Sequence, residues 1–417
     1  MIVSRFAAVV RPLKSRNYAW YALGTAFALT GFWMQRIAVG WLTWQLSESP
    51  LLLGVVAGAE LIPSVAIGLF AGAAVDRWQI LSVMRWSVIV RIAASIALFT
   101  LTAIGWTDVA TLIVFNLGFG VIASFNQPAR LALIPSIVPR QEAAAALAFD
   151  SILFNAALFM GPVLAGALIA ATGIAPTFAL TAAAFAVQLV SLVMQRNVPP
   201  RPPAQGLRQS LWAETVAGVR YTATHAAIAP LMLIHLAACV FGRAYFEMLA
   251  AFADRVFAAG ANGFAVLTAS VGVGAIVGGL WIAQFGVRPG LTKVVFAGAG
   301  LQAVALLAFA PLDSLWLAVP LLSVVGGAVI AAAIATLTLL QLAVDPALRG
   351  RTVAVYGIVY RGGPAVGAVV VGAASEYVGL QWPIAATAAI LLAAAGYCWR
   401  FRRRMAAALE ANLENAG

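Results

Sequence analysis

The sequence predicts an all-α membrane protein with twelve transmembrane helices in two pseudo-symmetric bundles of six. The first reason is composition. Of 417 residues, 63% are hydrophobic and only 9% are charged, with a mean hydropathy of +0.98. A soluble domain carries about 25% charged residues. This chain therefore has too few polar side chains to cover a surface that faces water.

Long apolar segments are the second reason, because a spanning helix needs about 20 mostly apolar residues. Most connections between these segments are only a few residues long. We predict twelve spans: Tyr18–Leu46, Leu51–Val75, Leu81–Ala103, Val109–Gln127, Ala143–Ala171, Ile174–Gln195, Ile228–Ala253, Phe264–Phe285, Leu291–Ala310, Leu315–Leu342, Thr352–Val378 and Trp382–Trp399.

A motif that recurs between the halves is the third reason. The fifth span carries Gly161 and Pro162, and the eleventh carries Gly363 and Pro364. These spans are equivalent if each half repeats the other, and both motifs would loosen the helix backbone. A parallel repeat of six helices, with a substrate site between the halves near the midplane, is a known transporter plan.

The one long connection, residues 196–227, divides the two halves. Its proline-rich start, residues 199–203, cannot be helical. An amphipathic stretch follows from Leu207 to Val219, and we expect it to lie on the cytoplasmic membrane surface. The predicted domains are an N-terminal six-helix bundle (1–195), a cytoplasmic linker with an amphipathic helix (196–227), and a C-terminal six-helix bundle with a cytoplasmic tail (228–417).

Basic residues lie on one side of the predicted membrane. Twenty Lys and Arg residues fall in the termini and in every second connection, whereas the opposite connections contain only Arg255. Because cytoplasmic segments are enriched in Lys and Arg, we expect both termini to be cytoplasmic. The net charge of +11 then faces anionic lipid headgroups, and no nucleic-acid partner is needed to explain it.

The sequence offers no catalytic or metal-binding pattern. Cys239 and Cys398 lie in apolar spans without metal-ligand spacing. His225 and His235 have no partners that would complete a catalytic set. We therefore predict that the protein is not an enzyme and needs no cofactor.

The segment from Gly31 to Gly54, GFWMQRIAVGWLTWQLSESPLLLG, resembles the bacterial enterobactin-exporter and macrolide-efflux branch of the major facilitator superfamily. The resemblance covers essentially the whole chain and includes Pro63, the pair Asp76–Arg77 and the segment Pro128-Ala129-Arg130. It implies the export of amphiphilic small molecules, driven by the proton gradient.

The chain departs from the family pattern in three places. Trp78-Gln79-Ile80-Leu81 replaces a glycine and a basic run, no arginine precedes Gly118, and Ala165 replaces a glycine of the exporter motif. The missing arginine leaves proton coupling at that position unsupported.

The resemblance also implies a cytoplasmic gate, in which an acid latches onto the start of the eleventh span. The matching residues here are Gly72, Asp76 and Arg77, with Arg351 at the start of that span. Because the basic run after Arg77 is missing, we expect a weaker latch than the family norm.

Seven ionisable residues lie in the interior of the predicted spans, away from their ends, where each charge costs about 2.5–3.5 kcal/mol on insertion scales. Four arginines against three acids leave a positive excess, which favours an anionic or zwitterionic substrate. The three acids are the candidates for proton coupling. The seven residues are Arg36, Glu60, Arg91, Asp150, Arg243, Glu247 and Arg361.

Helical spacing suggests two pairs among them. Arg36 and Glu60 fall at similar depth in neighbouring spans and could pair. Arg243 and Glu247 are four residues apart and would share a face of a continuous helix. That pair is either structural or a site whose acid changes partner during transport. Asp150 could face the inner vestibule.

Arg91 is expected to be structural, and His235 a satisfied core histidine rather than a proton relay. Tyr356 and Tyr360 are four residues apart and could present hydroxyls to a cavity, with plain packing as the alternative. The candidate substrate and proton pathway is Arg36, Glu60, Asp150, Arg243, Glu247, Arg361, Tyr356 and Tyr360.

We therefore predict a secondary active transporter, a proton-coupled exporter of siderophore-like or drug-like molecules that works by alternating access. Two alternatives stay open: an importer or symporter of a siderophore or related metabolite, and a membrane receptor or scaffold without transport. The expected partners are the substrate, protons and the lipid bilayer. We expect a monomer in a bacterial inner membrane.

Overall fold

The computed structural model describes residues 10–75, 78–195, 211–286 and 289–411. This part of the chain is helical and contains no strand. Its α-helices are α1 (Arg16–Ser47), α2 (Pro50–Val75), α3 (Ile80–Ala103), α4 (Val109–Leu133), α5 (Ala143–Thr172), α6 (Ala175–Val193), α7 (Leu211–Thr224), α8 (Ile228–Val240), α9 (Tyr245–Ala251), α10 (Gly260–Phe285), α11 (Leu291–Phe309), α12 (Leu315–Ala343), α13 (Pro346–Val378), α14 (Gln381–Trp399) and α15 (Arg402–Leu409). Short 3₁₀ helices occupy Arg11–Lys14, Ile134–Ser136 and Arg140–Glu142, and a π-helical turn occupies Phe252–Val256.

The predicted all-α membrane fold is confirmed. Within the described ranges, ten helical segments are long and apolar enough to cross a membrane. The 32-residue α1 carries Arg36 in its second half, and α2 contributes a shorter apolar stretch, Pro50–Pro63. Most helix ends lie within a few residues of the prediction, but α4 continues to Leu133 instead of ending at Gln127.

Two compact units make up the chain: Met1–Leu46 with Ala59–Gly206, and Ser47–Gly58 with Leu207–Gly417. In the first unit α3 packs against α4 and α6, and in the second α11 packs against α12 and α14. These helices are the third, fourth and sixth spans of each half. The two units therefore repeat the same helix pairs, as the recurring motif predicts.

The start of α2, up to Gly58, belongs to the second unit, and Glu376 of α13 caps it. The Glu376 carboxylate accepts hydrogen bonds from the Ser49 hydroxyl and from the Leu51 backbone N–H, the latter at 3.1 Å. The first N–H groups of a helix have no partner within the helix, so this carboxylate supplies one.

The linker contains a helix, α7, in the predicted place. Gly218 lies against the backbone of Arg351 in α13, while Val216 and Val219 are exposed. Leu207, the first residue of the predicted apolar face, lies outside the described residues. The position of α7 on a membrane surface stays a prediction.

Glycines bring equivalent helices into close contact. Gly161 of α5 lies against Trp33 of α1, and Gly363 of α13 lies against Cys239 of α8. The recurring Gly-Pro motif therefore makes the same contact in each half, and Trp33 and Cys239 occupy equivalent positions.

A second pair of contacts fixes the register of α2 and α10. Gly120 of α4 lies against the carbonyl oxygen of Glu60, and Gly326 of α12 lies against the carbonyl oxygen of Val271. Glu60 and Val271 therefore occupy equivalent positions in the repeat.

The Gly120→Ala variant is expected to be less stable than the wild type. A Cβ at this position would overlap the Glu60 carbonyl oxygen, so α4 must move away from α2, at a cost of about 1–3 kcal/mol. Thermal unfolding in detergent micelles measures the loss.

Gly118→Ala is the matched control, because a Cβ there meets no atom within 4 Å. Alanine favours a helix over glycine by about 1 kcal/mol, so this variant should be neutral or more stable. Equal losses in both variants would contradict the close contact of α4 with α2.

Candidate transport site

Arg36 of α1 and Glu60 of α2 form an ion pair in the first unit. Arg36 Nη1 lies 2.6 Å from Glu60 Oε2, and the side chains are only 15% and 12% exposed. The helices are joined at Glu48–Ser49, so residues about twelve positions to either side lie at one depth, about 18 Å along each helix. The predicted pairing is confirmed, and its role in transport stays a prediction.

Asp150 of α5 is buried, with 5% exposure. The Tyr21 hydroxyl donates a hydrogen bond of 2.6 Å to Asp150 Oδ1, and Arg130 Nη2 lies 3.7 Å from Asp150 Oδ2. Sequence reasoning missed both partners. Arg130 lies beyond the predicted end of its span, and the continuation of α4 to Leu133 brings it to Asp150. Asp150 is therefore part of a buried polar network.

Arg130 raises the positive excess among the membrane helices. Arg91, expected to be structural, packs with its guanidinium carbon 5.6 Å from the centre of the Phe185 ring. With Arg130 added, the set of interior charges predicted from the sequence contains five arginines and three carboxylates. The arginines are Arg36, Arg91, Arg130, Arg243 and Arg361, and the carboxylates belong to Glu60, Asp150 and Glu247.

The seventh predicted span is broken in the middle. Helix α8 ends at Val240 and α9 begins at Tyr245. The carbonyl of Gly242, freed by the break, accepts a hydrogen bond of 2.7 Å from Gln302 Nε2 of α11. Gly242 is required because a Cβ would overlap this amide group. The prediction of one continuous helix is wrong here.

Arg243 lies in this break and is held by Tyr360 of α13. Its Nη1 donates a hydrogen bond of 3.0 Å to the Tyr360 carbonyl, and its guanidinium carbon lies 4.6 Å from the centre of the Tyr360 ring. The expected ion pair with Glu247 is not formed, because the spacing argument needs an unbroken helix. Among the residues that the structure describes, no carboxylate lies within 4.0 Å of Arg243.

Three aromatic rings stack beside Arg243. The centres of the His235 and Tyr356 rings are 4.3 Å apart, and those of Tyr356 and Tyr360 are 5.8 Å apart, with interplanar angles of 15° and 17°. The Tyr356 hydroxyl donates to the Ala333 carbonyl at 3.1 Å, so it has a partner inside the protein. His235 is buried, and its Nε2 lies 3.7 Å from Cys239 Sγ, which agrees with a core histidine.

The other predicted residues are distributed along the same helices. Glu247 lies in α9, and Arg361 follows Tyr360 in α13. Gly72 lies near the end of α2, but Asp76 and Arg77 lie outside the described residues. The assignment of these residues to a pathway or a gate stays a prediction.

Comparison with known proteins places this architecture among transporters. The sequence model of the family described as "Transmembrane secretion effector" matches residues 7–415. A stretch of 140 residues is 22% identical to the staphyloferrin A transporter of Staphylococcus aureus (strain NCTC 8325 / PS 47). That match spans 32% of this chain and about a third, 34%, of the relative's length.

Solved transporter structures share the fold at low sequence identity. A POT family transporter in complex with 5-aminolevulinic acid has a TM-score of 0.74 and 10% identity, over 94% of this chain and 97% of that chain. A bacterial homologue of the human lysosomal transporter Spinster, inward-facing and unoccupied, has a TM-score of 0.70 and 16% identity, over 95% of this chain and 98% of that chain. A D-xylose–proton symporter has a TM-score of 0.69 and 13% identity, over 93% of this chain and 96% of that chain.

The Glu60→Gln variant is expected to lose stability, because it leaves Arg36 without its counter-ion in apolar surroundings. Breaking a buried pair by removing one partner costs about 3–5 kcal/mol. Removing both charges, in Arg36→Gln/Glu60→Gln, should recover most of the loss measured by thermal unfolding. A double variant no more stable than Glu60→Gln would show that the two side chains do not stabilise each other.

Proposed function

The chain belongs to the transmembrane secretion effector family of major facilitator transporters, and on this premise we propose that it exports amphiphilic small molecules in exchange for protons. The substrate we propose is anionic or zwitterionic and siderophore-like or drug-like. The site of action is a bacterial inner membrane, with both termini in the cytoplasm. The concentration of basic residues in alternate connections supports this orientation.

The observation that carries the substrate class is the charge imbalance in the membrane helices. In the set of eight interior charges named above, five arginines and three carboxylates leave an excess of two positive charges. Charges in such surroundings are retained where they pair, face water or act on a substrate. A substrate with carboxylate, catecholate or phosphate groups would supply negative charge. The partial relative that transports staphyloferrin A supports a siderophore-like molecule.

The contacts of Asp150 support a role in proton coupling. A carboxylate that carries a proton must change its partners between two states of the carrier. The Tyr21 hydroxyl bonds it closely, but Arg130 lies at 3.7 Å, longer than the about 2.7–2.9 Å of a close charge-assisted hydrogen bond. Glu60, by contrast, is tightly paired with Arg36. Glu247 is the third candidate.

Import is the alternative that the fold also accommodates, since a D-xylose–proton symporter shares it. Direction is therefore a question for transport measurements. The fold and the charge distribution support either direction, and the family description supports secretion.

Membrane vesicles of both orientations test the proposal. We expect inside-out vesicles that contain the protein to accumulate 2,3-dihydroxybenzoate or staphyloferrin A when their interior is acidic, and a protonophore to abolish the accumulation. The neutral analogue 2,3-dihydroxybenzamide should not accumulate. Uptake only by right-side-out vesicles would contradict export. No gradient-dependent uptake of any compound from a siderophore and drug panel would contradict the proposal as a whole.

The Asp150→Asn and Glu247→Gln variants are expected to lower transport driven by a pH gradient, measured per amount of folded protein. Asp150→Asn should also lose some stability, because it leaves Arg130 without its counter-ion. Asparagine still accepts a hydrogen bond from Tyr21 but cannot exchange a proton. Substrate counterflow without a pH gradient should persist, because it requires no net proton movement. A variant with unchanged pH dependence would remove its carboxylate from the coupling mechanism.

A further inference from the structure

An arginine occupies the equivalent position in each unit. Trp33 and Cys239 correspond, and Arg36 follows the first by three residues whereas Arg243 follows the second by four. The wide turn at Gly242 takes up the additional residue, since its N–H bonds the carbonyl five residues earlier at 3.3 Å. A wide turn of this kind inserts one residue into a helix.

Arg36 has a carboxylate on the neighbouring helix, but the equivalent position beside Arg243 holds no carboxylate. Glu60 pairs with Arg36, and its counterpart in the second unit is the buried Val271. All 26 residues of α10 are uncharged. The repeat therefore keeps the arginine and omits the carboxylate that would neutralise it.

The groups that hold Arg243 are neutral. The Tyr360 carbonyl takes one N–H, and the Tyr360 ring lies against the guanidinium. A guanidinium has five N–H donors in a planar fork that matches a carboxylate. Tyr360 therefore fixes the orientation of the Arg243 guanidinium. No described carboxylate compensates the positive charge of that guanidinium.

Residues around the helix break also hold the Arg243 guanidinium in place. Gln302, itself only 2% exposed, bonds the Gly242 carbonyl and stabilises the break in the helix. Arg243 lies near the middle of the membrane segment Ile228–Val256. Substrate sites of transporters built from repeats lie near this depth, at discontinuous helices.

We propose that Arg243, at the break between α8 and α9, binds a carboxylate group of the transported substrate, with the Tyr360 ring supporting the guanidinium. This inference rests on the proposed function and assigns its anion recognition to one residue. Arg36, neutralised by Glu60, is not the primary carboxylate-binding group.

The test uses the purified full-length protein with 2,3-dihydroxybenzoate as probe and 2,3-dihydroxybenzamide as its uncharged analogue. Wild type should bind the benzoate and not the amide in calorimetric titrations. Arg243→Gln should weaken benzoate binding by about tenfold or more, since a hydrogen bond to a charged group is lost. The benzoate affinity of Arg243→Lys should lie between those of the wild type and Arg243→Gln, because lysine keeps the positive charge but lacks the planar set of N–H donors.

A second pair of variants leaves Arg243 in place. Val271→Glu supplies the carboxylate that Glu60 provides in the first unit, and should weaken benzoate binding as Arg243→Gln does. Val271→Gln is the matched control with the same shape and no charge, and should bind like wild type. This pair keeps the proposal testable even if Arg243→Gln folds poorly.

The outcomes separate this inference from the proposed function. Unchanged benzoate affinity in folded Arg243→Gln, or equal affinity in Val271→Glu and Val271→Gln, would overturn the role of Arg243 while anion transport stands. Chloride that competes at concentrations equal to those of the benzoate would also overturn it, in favour of a simple halide site. Wild type that transports no anion would instead overturn the anionic substrate of the proposed function.

Discussion

A guanidinium buried among apolar helices is stable only where other groups replace its water. Arg36 and Arg243 meet this requirement differently. Arg36 has a carboxylate at 2.6 Å, so its charge is neutralised inside the protein. Arg243 has a backbone carbonyl and an aromatic face, which satisfy its geometry and leave its charge available. A negatively charged group therefore gains more by binding at Arg243.

The backbone around Arg243 obeys the same constraint. Peptide groups in a membrane need partners inside the protein, and broken helices survive only where side chains supply them. Gln302 supplies one at Gly242. The break in the helix and the Arg243 guanidinium are thus two parts of one arrangement, and the close approach of Gly363 to Cys239 places Tyr360 beside it.

Spacing along a helix could predict some of this arrangement but not all of it. Arg36 and Glu60 were predictable because they lie equally far from one turn. Arg130 was not, because its span continues past an apolar stretch that a hydropathy reading ends at Gln127. The Gly242 carbonyl at the break is bonded by Gln302, which is sixty residues away in sequence, so local patterns did not predict this contact. The bond of Tyr356 to Ala333 was not predictable for the same reason, because the two residues lie on different helices. The fold followed from composition, the lengths of the apolar segments and the recurring Gly-Pro motif, whereas the polar contacts depended on partners from distant helices.

The central claim is that Arg243 has no counter-ion among the described residues, and a double-mutant cycle between Arg243 and Glu247 tests it most directly. The measurement is the free energy of unfolding of the wild type, Arg243→Gln, Glu247→Gln and the double variant, in buffer without organic anions. We predict additive effects, with a coupling energy within about 0.5 kcal/mol. A coupling of about 3 kcal/mol, as expected for a buried ion pair, would contradict the account.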